Sequence, residues 1–210
     1  MHDYEIKNRG KGVLFENEWL EPLTKTRPQI SASIYIVITL VMLYVGYREK
    51  VLGSVVSGMA IFVGAMFFWT FFEYFFHRYI NHIDEYFPDS KIAAEIAFTI
   101  HGIHHEYPRD KERLIMPPVP GLIIVGMLFG GYWLLLGKLV YVFMPGFMTG
   151  YLLYTYVHYS IHDQPVPSFL NIQYRHHALH HYKYPEKAFG VSTTLWDRVF
   201  GTMPPTSDSR

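Results

Sequence analysis

Four stretches of this chain carry no charged residue and are long enough to cross a lipid bilayer: Ile30 to Tyr47, Val51 to Phe72, Val119 to Gly137 and Leu139 to Val157. At about 1.5 Å of helical rise per residue, each approaches or spans the roughly 30 Å hydrocarbon core. The second stretch stays apolar on either side of Glu73, so the spans are drawn as 30–47, 51–76, 119–137 and 139–157. A chain of 210 residues has too little other mass to wrap four such helices away from water, so they read as membrane spans. The first lies behind a mixed-charge segment with no small-residue cleavage pattern, which argues against a secretory leader.

The links are short. Arg48, Glu49 and Lys50 separate the first two spans, and Lys138 beside Gly137 separates the last two. Links of this length force two antiparallel helical hairpins. Four crossings place the N-terminus, residues 77–118 and residues 158–210 on one side of the membrane. That side holds 15 of the 18 Lys and Arg residues, leaving Arg48, Lys50 and Lys138 opposite. The positive-inside rule then turns the long segments to the cytoplasm. The expected fold is all-α: one domain over residues 1–210, with an N-terminal segment 1–29 at the membrane interface and cytosolic parts 77–118 and 158–210 forming a helical, histidine-rich cap. Phe15, Trp19 and Leu23, at i, i+4 and i+8, predict a short amphipathic helix lying on the membrane or on the cap.

Composition narrows the chemistry. There is no cysteine, which excludes disulfides, thiolate zinc sites and Fe–S clusters. The formal net charge is zero, without the basic surplus of a nucleic-acid binder. There are 12 histidines, and 11 fall in four short windows that read HRYINH (77–82), HGIHH (101–105), HYSIH (158–162) and HHALHH (176–181). His2 reads as a tail residue.

Side chains at i, i+3 and i+4 of a helix share a face. His101, His104 and His105 fit that spacing, as do His177, His180 and His181, and His158 with His162. His77 and His82 are five apart, about 140° round an ideal helix, so they serve two ions or straddle a helix end. Imidazole packed this densely is unfavourable if protonated, whereas neutral imidazole is a metal ligand. Ten candidates exceed the four to six positions of one ion, so two ions sharing them is the economical count. His176 is ambiguous and is assigned to the surroundings of the site or to the surface. Glu73, one turn before His77, is placed to orient an imidazole or to reach the membrane surface; Asp163 and Glu106, each next to a candidate ligand, are weaker candidates for the same role. Asp89 or Ser90 caps a helix that begins near Lys91, carries residues 101–105 and stops at Pro108. An all-imidazole site where helices leave the bilayer points to redox chemistry on a lipid.

The histidine strings resemble the fatty acid hydroxylase superfamily of integral-membrane di-iron oxygenases, and within it the fatty acid 2-hydroxylases of sphingolipid metabolism. Residues 14–26 (LFENEWLEPLTKT), 69–82 (WTFFEYFFHRYINH), 101–118 (HGIHHEYPRDKERLIMPP), 156–163 (YVHYSIHD), 174–182 (YRHHALHHY) and 189–202 (FGVSTTLWDRVFGT) carry the likeness. The resemblance implies ten ligands: His77, His82, His101, His104, His105, His158, His162, His177, His180 and His181. It implies two irons, replaceable by zinc during purification, with O₂ as co-substrate. It further implies insertion of one oxygen atom at carbon 2 of a long acyl chain, free or in ceramide. Fewer than 30 residues precede the first span, too few for the cytochrome b5 domain many members carry, so a separate donor of cytochrome b5 or ferredoxin type is expected. The membrane is the endoplasmic reticulum in a eukaryote or the inner membrane in a bacterium. The histidine set alone also suits a hydroxylase or desaturase of a sterol, carotenoid or alkane. A membrane metal carrier fits less well, because the histidines cluster outside the spans instead of lining a path through them.

Overall fold

The computed structural model describes residues 5–205, so His2 lies outside the described residues. Among those described, every regular element is helical. The long elements are α1 (Pro28–Arg48) and α2 (Val55–Phe75). A π-helical turn, Phe76–Asn81, leads from α2 into α3 (Ile83–Tyr86). Then come α4 (Lys91–Ala97), a second π turn Phe98–Gly102 and α5 (Ile103–Glu106). The remainder is α6 (Pro118–Leu136), α7 (Val140–His162), α8 (Asn171–Tyr182) and α9 (Leu195–Val199).

Among the described residues, three helical stretches are long and apolar enough to cross a membrane: Pro28–Arg48, Val55–Asn81 and Pro118–His162. The last, of 45 residues, contains the α6–α7 junction, where Gly137 takes the left-handed φ of +54° that closes α6. The chain reverses there. Phe129 and Trp133 of α6 pack on Tyr141 of α7, and Tyr132 packs on Phe143 and Phe147. Lys138 in this turn pairs with Glu49 in the α1–α2 turn at 2.7 Å, so both turns sit at the same end of the bundle.

The helix α7 is central, packed against α1 and α2. Two glycines allow the approach: a Cβ on Gly146 would lie 2.2 Å from the Phe62 carbonyl oxygen, and one on Gly150 would lie 2.5 Å from Trp69 Cβ. Tyr35, Met42, Ala65, Trp69, Val140, Met144, Phe147 and Met148 fill the core of this bundle. Outward faces are apolar as well, with Val37, Leu40, Val56, Met59, Ile123 and Leu134 all exposed. Such a surface is unfavourable in water and natural against lipid.

The capping expectation holds: Ser90 Oγ accepts from the Ala93 amide to start α4, and the helical run ends at Glu106. The amphipathic helix expected at Phe15, Trp19 and Leu23 does not form. Only a 3-10 turn, Glu21–Thr24, is present. Glu21 accepts the amides of Leu14 and Phe15, and Asn17 Oδ1 those of Trp19 and Leu20, so side chains capture the amides a helix needs. The segment is instead strapped to the 106–113 loop. Lys7 pairs with Glu106, the Gly12 amide donates to Asp110, and Arg113 reaches Gly12, Thr24 and Glu21. Trp19, Phe15 and Leu23 all stay exposed.

Candidate metal centre

All ten candidate ligands converge, in two groups of five. One comprises His77, His82, His101, His105 and His180; the other comprises His104, His158, His162, His177 and His181. Within each group the candidate ligand atoms lie within 4.8 Å of one another. Nine of the ten are buried and His162 is partly exposed.

Local backbone geometry explains the partition. His77 and His82 belong to one group because the chain between them is a π turn, not a straight α-helix. The i→i+5 bonding widens the turn and brings residues five apart onto one side. In each HxxHH string the i, i+4 pair enters one group and the middle histidine crosses to the other. His101 and His105 thus part from His104, and His177 and His181 part from His180. The two halves of the chain therefore exchange one candidate ligand each.

Hydrogen bonds fix several ring orientations. The Nδ1–H of His77 donates to the Phe189 carbonyl at 2.6 Å, that of His180 to Lys187 at 2.7 Å, and that of His158 to Leu114 at 2.8 Å. A neutral imidazole protonated at Nδ1 presents a bare lone pair at Nε2. These Nε2 atoms point at others: His77 to His101 at 2.9 Å, His180 to His105 at 3.1 Å, His158 to His177 at 3.1 Å. His177 Nε2 also lies 2.9 Å from His162 Nε2 and 3.0 Å from His181 Nε2, and one hydrogen cannot serve all three neighbours. Both ring nitrogens of His104 are buried without a hydrogen-bond partner. Converging lone pairs and orphaned nitrogens in a buried site call for cations between them. The spacing fits: two nitrogens at right angles about an ion, each roughly 2.1 Å from it, are about 3.0 Å apart. The histidines suit a metal centre with imidazole ligands alone.

Electrostatics agree. Burial, and then neighbouring imidazoles, hold His82, His101, His104, His105, His177 and His181 well below the ordinary histidine value of 6.5. The cluster is thus neutral near neutrality, the state in which imidazole ligates a metal.

The four other candidates pair with groups other than the candidate ligand imidazoles. Glu73 is buried and accepts the Val191 amide at 2.6 Å and the Ser192 amide at 3.0 Å, so it neither reaches the membrane surface nor holds a ring. Asp163 pairs instead with Lys111 at 2.8 Å and Glu106 with Lys7. His176 is buried, not at the surface, and bonds Asp197 at 2.9 Å. Asp197 itself was missed from sequence, where its only signal was an acid set among Trp196, Val199 and Phe200.

A cavity of about 310 Å³ adjoins the cluster. His77, His101, His104 and His158, drawn from both groups, line its head. Tyr35, Trp69, Leu128, Phe147 and Met148 line its body between the long helices.

Fold and site together define a helical, membrane-type protein with a histidine cluster suited to a metal centre beside an apolar cavity. The chain belongs to the fatty acid hydroxylase family, whose pattern matches residues 62–202. Over 203 residues it is 35% identical to the ceramide very long chain fatty acid hydroxylase SCS7 of Saccharomyces cerevisiae, covering 92% of this chain and 50% of that one. Human fatty acid 2-hydroxylase is 31% identical over 212 residues, with 91% and 56% covered. The dihydroceramide fatty acyl 2-hydroxylase FAH2 of Arabidopsis thaliana is 32% identical over 197 residues, with 90% and 79% covered. The chain therefore spans about half the length of the yeast and human relatives. A solved structure of full-length scs7p, with only its hydroxylase domain visible, superposes with a TM-score of 0.84 at 34% identity, covering 93% of this chain and 74% of that one.

Proposed function

We propose that this chain is a membrane-bound, O₂-dependent fatty acid 2-hydroxylase acting on a long acyl chain, free or within ceramide. The observation that carries this reading is the continuity of the apolar cavity with histidines of both groups. A long hydrocarbon chain fits a passage walled by Trp69, Leu128, Phe147 and Met148, and its polar end then meets Asn81 and Thr99 beside the histidines. Carbon 2 is one bond from the carboxyl or amide carbon, so holding that polar end at the cavity head presents carbon 2 to the metal centre.

In this reading the ten histidines hold two irons, five each. Bound iron supplies the activation of O₂ and the oxidation of an unactivated C–H bond, with water as the second product. The carbonyls of Phe189, Lys187 and Leu114 keep three of the rings aimed inward. The surrounding aromatic helices exclude water, which protects a strong oxidant from side reactions. Two electrons come from a donor protein of cytochrome b5 or ferredoxin type. The α1–α2 and α6–α7 hairpins make four crossings of the membrane, and the histidine-bearing segments form a cap on the cytoplasmic side.

The test is lipid analysis after expression in a host that lacks 2-hydroxy lipids and supplies iron and a redox donor. Wild type should yield 2-hydroxy acyl products, and His101→Ala and His177→Ala should yield none. Unchanged lipids with wild type refute the assignment. Oxygen uptake driven by sterols or carotenoids but not by acyl lipids would move the chain to another substrate class.

A further inference from the structure

Resting on the two-ion reading above, we propose that Asp197 and Glu73 are positioning residues for one half of the metal centre only, the half built on His77 and His180. The 187–192 loop supplies both carbonyls that orient those two rings, Phe189 to His77 and Lys187 to His180. His77 and His180 belong to the same group of five.

Two buried carboxylates hold this loop by its backbone. Asp197 Oδ1 accepts the Phe189 amide at 2.9 Å and the Thr202 hydroxyl at 2.7 Å. Its Oδ2 accepts the Gly190 amide at 2.8 Å and His176 Nε2 at 2.9 Å. Glu73, from the end of α2, accepts the next two amides, Val191 and Ser192. Four consecutive amides, 189 to 192, thus point at two carboxylates, which turns the intervening carbonyl of Phe189 toward His77. Gly190 is required for this packing, since a Cβ there would lie 2.2 Å from the Thr193 carbonyl oxygen and 2.8 Å from Asp197 Oδ2. The other group draws its support elsewhere: His158 bonds the Leu114 carbonyl and His162 the backbone of Pro108, both in the loop strapped by Arg113 and Asp110. Asp197 and Glu73 make no contact with that loop among the hydrogen bonds they form. Carbonyls that fix ring orientation typically set metal affinity by 10- to 100-fold, so at free metal buffered about 10-fold above the level that half-fills wild type, a 100-fold loss leaves a group about one-tenth filled.

The test measures metal per chain in detergent-purified protein equilibrated with iron or zinc at that buffered level. Wild type is expected to hold two ions, one per group. D197N is isosteric but sets an amide nitrogen against donors that need an acceptor, so it is expected to hold about one ion. Joining D197N to His180→Ala should cost no further ion, whereas joining it to His162→Ala should remove the remaining one. At Glu73, Leu offers the amides no acceptor and Gln restores one, so E73L should lose an ion that E73Q recovers. Equal weakening of both groups by D197N, or retention of both ions, overturns the proposal. Should D197N fail to fold, Thr202→Val removes one donor from Oδ1 and leaves the amides in place. Chelator should then withdraw one ion of the two at least about 10-fold more readily than from wild type, and unchanged release overturns the proposal. A wild type with fewer than two ions overturns the two-ion reading and the proposal with it.

Discussion

His104 and His105 are neighbours in sequence and belong to different groups. Consecutive helical side chains point about 100° apart, so a helix lying between two ions serves both. Substituting either by Ala should lower turnover by about 100-fold or more, since even an outer partner of a ligand is worth 10- to 100-fold. The two variants should differ in which group loses its ion, readable from the metal content of each combined with His180→Ala. Identical behaviour in every combination would contradict the partition. The ten histidines were legible in sequence because i, i+3 and i+4 spacing is a local property. Their division was not, because His180 and His104 cross over through the packing of α5 on α8. Asp197 was illegible for a related reason: its partners at 176, 189, 190 and 202 meet only in the folded chain.

At the scale of the element, the π turns at Phe76–Asn81 and Phe98–Gly102 each contain or abut candidate ligands, and no period of 3.6 residues foretells them. The long helices were readable because apolar length alone specifies them, and α1, α2, α6 and α7 fall within a few residues of the drawn spans, although α7 runs on to His162. The N-terminal segment misled because i, i+4 spacing is also compatible with the turn that Glu21 and Asn17 impose. Helix packing yields a direct prediction. Gly150→Ala pushes a methyl group against Trp69 and the Met66 carbonyl, and Gly146→Ala against Phe62. Each should cost about 1–3 kcal/mol, seen as a lower Tm in detergent, and an unchanged Tm would contradict the close approach of α7 to α2. Leu128 is the residue farthest along α6 that lines the cavity. Under the proposed function, Leu128→Trp should shorten the acyl chain accepted, measured as a shift of product toward shorter chains, while wild-type chain preference would contradict the cavity's role.

Across the whole molecule the plan is a duplicated one, hairpin then histidines, repeated, with the two halves joined by the exchanged ligands. That arrangement makes folding depend on pH. An unfolded chain takes up protons on its imidazoles as the pH falls through about 6.5, whereas burial first and neighbouring imidazoles second keep His101, His104, His105 and His177 unprotonated in the fold. The unfolded state thus binds more protons below that point, and stability falls as pH falls. Metal-free protein should show a steady Tm from pH 8 to 7 and a declining one from about 6.5 downward. A Tm that is flat through pH 5 would contradict a cluster of buried neutral imidazoles. Glu21 shows the same sign at lower pH. Burial alone would raise it, but Lys25, the amides of Phe15 and Leu14, and Arg113 bring it from 4.5 to about 2. Its hold on the N-terminal strap is therefore complete above 4.5 and lost as the pH falls toward 2.

In the proposed function, two groups of five histidines hold two ions beside an acyl cavity. Anomalous scattering from a crystal of metal-loaded protein, recorded at the edge of the bound metal, tests it most directly. Two peaks are predicted, one among His77, His82, His101, His105 and His180 and one among His104, His158, His162, His177 and His181. A single peak, or a peak away from both groups, would contradict the account.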